Sequence, residues 1–248
     1  MYSKISIITV TLNSEKTLER SINSILKLNY KKNKIEFIII DGGSTDNTLK
    51  IINSYRKHIH FFLSKKDQGM YYAINEGLKH CTGDIIGILN SDDYFYKNAL
   101  TIVFKYFNKF NIDYLFGTVK KKKIHHGFHK HKIWYKFDIY PAHSVGFFIK
   151  RSTQNIIGNY NVKFKYSADR DLLYRLIKNS KFIGMPTKKN EVIGKFSPDG
   201  MSSKISFFKK MLEESKIRIS NNQNFYLVYF ILILRLLYYF ILKFIRKN

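Results

Sequence analysis

The chain has 248 residues, 45% of them hydrophobic and 16% aromatic, which is enough apolar material to fold and excludes a predominantly disordered protein. Its 43 lysines and arginines outnumber 18 acidic residues, and the formal charge of +25 favours polyanionic partners such as anionic lipid or a phosphorylated substrate. The basic residues are spread along the chain without a zinc-finger or helix-turn-helix pattern, so we expect no dedicated nucleic-acid partner.

The first half of the chain alternates β-branched runs with segments of helical period, which predicts βαβ units and a largely parallel sheet. Three continuous apolar runs are typical of strands buried on both faces, and a weaker run follows the second of them. The predicted strands cover residues 5–11, 36–40, 59–63 and 84–89. Helices are expected after Asn13, after Ser44 as an N-cap, and over residues 71–79.

Polar residues follow three of these strands, at the point where each strand ends. They occupy residues 11–13, 41–44 and 90–93. In an open parallel sheet, ligands bind outside the carboxyl ends of the strands, so these clusters are expected to line one crevice. Gly, Ser, Asn and Asp are also ordinary turn residues, and each cluster taken alone could be only a turn.

The pair Asp92 and Asp93 is the most specific chemical feature of these clusters. Two adjacent acids at the tip of an apolar strand repel each other unless a cation neutralises them. Carboxylate oxygens suit Mg2+ or Mn2+, which can bridge to phosphate oxygens and offset charge on a leaving diphosphate. Asp41 ends a neighbouring strand and could accept hydrogen bonds from a nucleotide base or ribose.

The second half of the chain is less regular. Residues 120–132 carry six lysines and four histidines, which predicts a solvated hairpin or loop. These histidines could bind a metal, but they lack the regular spacing of a structural zinc site. A helix is predicted over residues 169–178.

The C-terminal segment is different in kind. Residues 225–242 are all apolar or aromatic except Arg235, and a basic tail follows. The segment reaches the minimum of about 17 residues for a membrane-spanning helix, but an arginine near its middle costs about 2.5 to 3.5 kcal/mol. Its tyrosines and basic tail predict a helix lying in the interface of an anionic leaflet. The alternative is a helix packed on the main domain or in a dimer interface.

Five ordered segments resemble the motifs of family 2 glycosyltransferases. They are residues 6–13 (SIITVTLN), 39–46 (IIDGGSTD), 67–77 (DQGMYYAINEG), 82–84 (TGD) and 89–93 (LNSDD). The resemblance is close over residues 4–100 and looser over 140–203. Family 2 enzymes are inverting and have the GT-A fold, so the resemblance implies an α/β protein with a mostly parallel, Rossmann-like sheet flanked by helices.

On the donor side, the resemblance implies roles for individual residues. Thr11 and Leu12 match positions that cradle the nucleobase, and family members often have an aromatic residue in place of Leu12. Asp41 matches the acid that contacts the uracil or ribose of the donor. Gly69 and Asn75 lie in the stretch that approaches the nucleotide.

Two departures from the family pattern concern the donor. Tyr72 stands where relatives often carry Asp, which bears on donor choice. Residues 90–92 match the Asp-X-Asp element with its first acid replaced by an amide. Ser91 and Asp92 are therefore expected at the donor, with Asp92 as the main metal ligand and Asp93 as a supporting one.

On the acceptor side, Asp169 matches the aspartate that removes the acceptor proton during inversion by direct displacement. The alternative is a helix N-terminal charge favoured by the macrodipole, and for Asp171 that, or an ion pair with Arg175, is the preferred interpretation. Residues 141–144, including His143, resemble the segment lining the acceptor side. Residues 197–203 resemble a mobile loop that closes over the donor.

These features predict a GT-A domain over residues 1–203 and C-terminal helices over 204–248, of which the last (225–246) associates with a membrane. The resemblance implies transfer of one hexose or acetamidohexose from a UDP- or dTDP-type donor, with Mg2+ or Mn2+, to a glycan hydroxyl. The tail favours a lipid-linked acceptor at the cytoplasmic face of a bacterial membrane, in cell-surface polysaccharide synthesis. Trp134 is the single tryptophan, so the Gln-X-X-Arg-Trp signature of processive relatives is missing.

Two other functions are compatible with parts of the pattern. A nucleotidyltransferase uses a similar sheet and metal, but residues 11–14 lack the glycine-rich, basic phosphate loop that it normally needs after the first strand. A non-enzymatic basic protein bound to membrane or nucleic acid is the second alternative.

Overall fold

Strands and helices alternate along the computed structural model, which describes residues 3–135, 144–197 and 205–245. Its strands are β1 (Ile5–Thr11), β2 (Ile35–Asp41), β3 (Phe61–Ser64), β4 (Ile85–Ile88), β5 (Tyr94–Phe95), β6 (Tyr114–Phe116), β7 (Thr118–Lys120), β8 (Ile124–His125), β9 (Phe147–Lys150), β10 (Gly184–Pro186) and β11 (Val192–Lys195). Its α-helices are α1 (Leu18–Leu26), α2 (Thr48–Ser54), α3 (Met70–Lys79), α4 (Ala99–Lys109), α5 (Arg151–Ile157), α6 (Ala168–Lys178), α7 (Phe207–Ser220) and α8 (Phe225–Ile245).

Seven strands form the main sheet, in the order β10-β6-β9-β4-β1-β2-β3. Neighbouring strands are parallel except around β9, which runs antiparallel to both β4 and β6. β1 and β2 pair from Ile5↔Ile35 to Thr11↔Asp41, and β4 runs parallel beside β1. The ends of β1, β2 and β4 therefore meet at one edge of the sheet, here called the carboxyl edge. The predicted α/β class and largely parallel sheet are confirmed.

Helices cover both faces of this sheet. Successive residues of a strand point to opposite faces, so Ile8 of β1 packs in one cluster with Ile74 of α3, while Ile7 packs in another with Ile22 of α1. All seven residues of β1 and all seven of β2 are buried. Burial on both faces explains why these strands read as continuous apolar runs.

A second, four-stranded sheet in the order β5-β11-β7-β8 was not predicted. Its strands are two to four residues long, too short to carry a periodic signal. Within it, β7 and β8 pair antiparallel, and the backbone N–H of Lys121 donates to Lys123 O at 2.9 Å. The predicted hairpin or loop over residues 120–132 is thus confirmed in its first part, whereas a 3-10 helix begins at Lys130.

The predicted N-cap of α2 was wrong. The helix begins at Thr48, whose backbone N–H donates to Asp46 Oδ1 at 2.9 Å. The hydroxyl of Ser44 instead donates to Asp41 Oδ1 at 2.5 Å. Several residues between Gly43 and Thr48 are of types that can cap a helix. The first of them, Ser44, instead binds the buried Asp41 carboxylate.

Glu36 is a buried acid at the opposite edge of the sheet from the polar clusters. Its carboxylate accepts hydrogen bonds from Lys4 Nζ at 2.6 Å, Ser6 Oγ at 2.5 Å and the backbone N–H of Thr82 at 2.7 Å. Burial by itself would raise the pKa of Glu36, but these hydrogen bonds outweigh it and lower the pKa from 4.5 to about 2.

Because its pKa falls on folding, Glu36 stabilises the protein fully above pH about 4.5, and this contribution disappears as the pH falls towards about 2. Glu36→Gln should lower the free energy of unfolding by about 2 to 3 kcal/mol at pH 7. Urea unfolding of both proteins at pH 7 and pH 3 measures this. An equal difference at the two pH values would contradict the role given to the ionised carboxylate.

The last two helices form a hairpin. α8 packs on α7 along one stripe, where Val228 and Ile231 are buried and the Tyr239 ring stacks on Phe207 with 4.6 Å between centroids. Arg235 lies on the same stripe and pairs with Glu214 of α7. Within the described ranges, no helix is both long enough and apolar enough to cross a bilayer. The predicted domain boundary at residues 203 and 204 falls outside those ranges and stays a prediction.

Candidate active site

Asp41 closes the loop that follows β2. Its carboxylate is fully buried and accepts hydrogen bonds from the backbone N–H groups of Gly43 (3.0 Å) and Ser44 (2.9 Å). The hydroxyls of Ser44 and Ser64 also donate to it, at 2.5 Å and 2.7 Å. In this conformation Asp41 shapes the loop, and because the residue is fully buried, a direct contact to a ligand would require the loop to open.

The loop after β2 is joined to the end of β1. The backbone N–H of Gly42 donates to Thr11 O at 2.9 Å, and that of Asn13 donates to Ser44 Oγ at 2.8 Å. Thr11 Oγ1 is buried and has no hydrogen-bond partner among the described residues. The Leu12 side chain is 55% exposed beside it. Thr11 and Leu12 therefore lie at the carboxyl edge, where they were predicted.

The end of β4 joins the same edge. Ser91 Oγ lies 2.8 Å from Ser14 Oγ, which follows β1. Asp92 is partly exposed, whereas Asp93 is 1% exposed and accepts from the backbone N–H of Ser197 at 3.0 Å. Direct contacts thus bring the three predicted polar clusters together.

The residues at the end of β4 fit a divalent cation that is shared with a ligand. Asp92 and Asp93 supply two carboxylates, and Asn90 Oδ1 is a buried oxygen with no hydrogen-bond partner among the described residues. No group of three or more His, Cys, Asp or Glu in residues 3–135, 144–197 and 205–245 is placed to hold a metal alone. Mg2+ and Mn2+ commonly take one or two carboxylates and complete their coordination with phosphate oxygens and water.

The segment before α3 reaches the carboxyl edge through Asp67. A Cβ built on Gly42 would lie 2.9 Å from Asp67 Oδ2, so the two loops are in close contact. The other oxygen, Asp67 Oδ1, accepts from the backbone N–H of Gly69 at 2.8 Å. Gly69 has φ +134°, a conformation that favours glycine, and it is the N-cap of α3.

Asn75 has a structural partner in this conformation. Its Nδ2 donates to Tyr160 O at 2.8 Å, and its Oδ1 accepts from the backbone N–H of Tyr160 at 2.9 Å. These two hydrogen bonds fasten the Tyr160 loop to α3. The amide keeps a second N–H and a second lone pair, so Asn75 can contact a nucleotide without opening either bond.

Asp169 lies in the first turn of α6 and is partly exposed. Its Oδ1 accepts a hydrogen bond from the Tyr71 hydroxyl at 2.9 Å, and the Tyr71 ring stacks on Tyr160 at 5.7 Å between centroids. Burial, with the Asp169 charge as a second cause, raises the pKa of Tyr71 well above 10, so its hydroxyl remains a donor. Two residues on, Asp171 accepts from Arg175 Nε at 2.9 Å, which confirms the predicted ion pair.

Three contributors to this region were not predicted from the sequence. Ser14 bridges the ends of β1 and β4, and Tyr71 holds Asp169 although 98 residues separate them. Arg20 donates to Asp92 O at 2.7 Å and places a positive charge beside the acids. Tyr71 lies inside a motif that was noticed, whereas nothing in the sequence distinguishes Arg20 from other basic residues on helices.

Some predicted features lie elsewhere or outside the described residues. His143 and residues 198–203 of the predicted closing loop are not among the residues described. Of the four clustered histidines, His126 is engaged through Nδ1 with Thr118 Oγ1 at 2.8 Å.

Two cavities of about 350 and 340 Å³ lie at the edge of the sheet opposite the carboxyl edge. The first is lined by Asp84 and Arg151, and the second by Lys32 and His60. We place the site at the carboxyl edge nevertheless, because the acids, the orphaned oxygens and the joined loops are there.

Comparison with known proteins identifies the family of the chain. Residues 6–179 match the sequence family described as Glycosyl transferase family 2. The chain belongs to that family. It is therefore a glycosyltransferase with a GT-A fold, which confirms the resemblance seen in the motifs and decides against the nucleotidyltransferase and non-enzymatic alternatives.

Two relatives of this family 2 enzyme have informative names. Staphylococcus aureus TarS, a poly(ribitol-phosphate) β-N-acetylglucosaminyltransferase, is 31% identical over 120 residues, which is 47% of this chain and 21% of TarS. The structure of TarS 1–349 with UDP has a TM-score of 0.68 at 20% identity and covers 92% of this chain and 69% of that one. A PGL/p-HBAD biosynthesis glycosyltransferase of Mycobacterium bovis is 30% identical over 183 residues, 70% of each chain.

A further solved structure is similar in fold. The mannosyltransferase PcManGT from Pyrobaculum calidifontis, in complex with GDP-Man and Mn2+, has a TM-score of 0.61 at 14% identity and covers 87% of this chain and 62% of that one. At these identities, both structural likenesses concern the fold alone. By sequence, this chain spans only about a fifth of TarS.

Proposed function

We propose that this family 2 enzyme transfers one hexose or acetamidohexose, with inversion, from a UDP- or dTDP-type sugar to a hydroxyl of a lipid-linked glycan. The observation that carries the proposal is the joining of three polar strand ends at one edge, with Asp169 held by Tyr71 in the first turn of α3, the helix that follows β3. The process served is cell-surface polysaccharide synthesis at the cytoplasmic face of a bacterial membrane.

On the donor side, Thr11 and Leu12 hold the nucleoside, with the orphaned Thr11 hydroxyl as a hydrogen-bonding group. Gly69 lets the chain before α3 approach the nucleotide closely, because no side chain projects there. Ser91, Asp92 and Asp93 hold the diphosphate side, where Mg2+ or Mn2+ would offset the charge of the leaving group. Arg20 adds a positive charge beside Asp92.

On the acceptor side, Asp169 is the base. Its carboxylate takes the proton of the acceptor hydroxyl while that oxygen attacks the anomeric carbon and the bond to the diphosphate breaks. Attack from the face opposite the leaving group inverts the anomeric configuration. Tyr71 orients the carboxylate through one oxygen and leaves the other for the acceptor.

The names of relatives support this choice of substrates. TarS is named for N-acetylglucosamine transfer to a ribitol-phosphate polymer and was crystallised with UDP and with UDP-GlcNAc. PcManGT was crystallised with a different nucleotide sugar, GDP-Man, and Mn2+, so its name supports the cation and not the choice of nucleotide. A nucleotide-sugar panel tests the proposal: with Mn2+, UDP- or dTDP-sugars should raise the thermal midpoint of unfolding more than GDP- or CDP-sugars do. No shift with any nucleotide sugar would reject it.

Tyr71→Phe tests the orientation of the base. Removing the hydroxyl frees the Asp169 side chain to rotate, so the turnover number should fall about tenfold while the donor KM changes little. The rate is measured with UDP-GlcNAc as donor and p-nitrophenyl glycosides as soluble acceptors. Tyr106→Phe is the matched control, since the Tyr106 hydroxyl also donates to a carboxylate, Glu191, on another part of the fold. Equal effects of the two substitutions would contradict the role of Tyr71.

The membrane part of the proposal rests on α8. Outside the stripe that packs on α7, it presents large apolar side chains to solvent, among them Tyr226 (82% exposed), Phe230 (57%) and Ile241 (56%). Exposed apolar surface of this extent marks an interaction site. The formal charge of +25 and the basic tail favour an anionic bilayer as the partner.

Phe230→Ser combined with Ile241→Ser should weaken binding to phosphatidylglycerol vesicles by at least about 100-fold, because each buried side chain contributes about 1.5 to 3 kcal/mol. Neither residue lies on the stripe against α7, so the fold should persist. The control is Ile156→Ser combined with Ile183→Ser, two isoleucines that are at least as exposed on other surfaces (71% and 56%). Co-sedimentation measures binding, and unchanged sedimentation of the α8 variant would reject the anchor. Loss of a dimer instead would identify a second copy as the partner.

A further inference from the structure

The C-terminal hairpin, meaning α7, α8 and the turn between them, is fastened to the helix that carries Asp169. Asn221 Nδ2 donates to Asp171 Oδ1 at 2.9 Å, and the Tyr174 hydroxyl donates to Gln223 Oε1 at 2.7 Å. Both contacts join the turn of the hairpin to α6. The hairpin is therefore more than a surface appendage of the glycosyltransferase domain.

Two adjacent glutamates of α7 hold the residues on either side of Asp169. Glu213 Oε2 accepts from the backbone N–H of Tyr166 at 3.0 Å, and Glu214 accepts from the guanidinium of Arg170. These contacts lie three residues before and one residue after Asp169. The position of the Asp169 backbone is thus tied to α7 from both directions.

Glu214 is at the same time the ion partner of Arg235 from α8. The Glu214 side chain is only 3% exposed. A carboxylate removed from water so completely is costly unless cations and hydrogen bonds compensate. Arg235 and Arg170, on two different helices, together supply that compensation, so α8 helps to decide where Arg170 lies.

We propose that the C-terminal hairpin positions Asp169 for catalysis, with Glu214 as the positioning residue and Arg235 as its link to α8. The proposal rests on the proposed function, because it takes Asp169 as the base. A base must lie within hydrogen-bond reach of the acceptor hydroxyl, and a misplacement of about 1 Å can cost about 100-fold in rate. The hairpin then contributes to turnover even with a soluble acceptor and without a membrane.

The test is Arg235→Met in the full chain, with UDP-GlcNAc, Mn2+ and p-nitrophenyl glycosides, and without vesicles. The turnover number should fall about 10- to 100-fold while the donor KM stays within about twofold. Arg235→Lys should restore most of the rate, since an ammonium group can still pair with Glu214. Lys105→Met is the control: it removes a comparable ion pair, with Glu191, away from Asp169, and should leave turnover unchanged.

Wild-type turnover in Arg235→Met overturns the inference, and so does an equal loss in Lys105→Met. Where Arg235→Met does not fold, Glu214→Asp decides, because it keeps the charge and shortens the side chain: a lower turnover number with unchanged donor KM supports the positioning role, and an unchanged turnover number overturns it. The proposed function fails separately, if the wild-type chain binds no nucleotide sugar or transfers sugar equally well with Asp169→Asn.

Discussion

Asp169→Asn should reduce sugar transfer by at least about 100-fold, because a positioned general base contributes about 10²- to 10⁴-fold. The amide has the size of the carboxylate, and its oxygen can still accept from the Tyr71 hydroxyl, so the local packing should survive. It cannot take a proton from the acceptor hydroxyl. The rate of transfer from UDP-GlcNAc to p-nitrophenyl glycosides, with Mn2+ present, measures the effect.

Donor binding separates this role from a structural one. UDP should bind Asp169→Asn with the wild-type affinity in calorimetry, because Asp169 is assigned to the acceptor side. Asp113→Asn is the matched control, since Asp113 is an acid at the opposite edge of the sheet that accepts from the backbone N–H of Ile183 at 2.9 Å. Transfer by Asp169→Asn at within about tenfold of the wild-type rate would mean that another group is the base.

Asp92→Asn should remove the metal dependence of donor binding and lower transfer by about 100-fold or more, because a bound cation stabilises the leaving group by several kcal/mol. Asp92 is preferred to Asp93 for this test because it is partly exposed, whereas the Asp93 carboxylate also holds the backbone of Ser197. Calorimetric titration of UDP with and without Mn2+ gives the readout.

In the wild-type chain Mn2+ should strengthen UDP binding, and in Asp92→Asn the two titrations should coincide. Uridine, which lacks the diphosphate, should bind both proteins equally. The Asp113→Asn control should keep the response to Mn2+. If Asp92→Asn retains it as well, the cation is held elsewhere and the assignment of the β4 acids is wrong.

Strands and helices were predictable from the sequence where the hydrophobic pattern lies within a single element. β1 and β2 are seven-residue apolar runs buried on both faces, and α3 and α6 begin within one residue of their predicted starts. The small sheet was not predictable as a whole, because β5 and β8 have two residues each and β5 pairs with β11, which lies far along the chain. Ser44 shows that local pattern can also mislead. Its residue type favours a helix N-cap, but its hydroxyl binds the buried carboxylate of Asp41.

The site was predictable as a set of strand ends and less so as a set of contacts. The parallel topology alone brings Thr11, Asp41 and Ser91 to one edge. What each side chain does there depends on partners far along the chain. The Asn75 amide, for example, hydrogen-bonds to the backbone of Tyr160, 85 residues away. Spacing within a motif contains no information about such partners.

The loop closed by Asp41 has a consequence for ligand affinity. All of its hydrogen bonds form within the protein, so this wall of the site is ordered before a nucleotide arrives. A preorganised wall loses little conformational entropy on association, and more of the interaction energy then appears as affinity. Ser64→Ala would remove one of these hydrogen bonds to Asp41. Part of the interaction energy would then go into ordering the loop at each turnover.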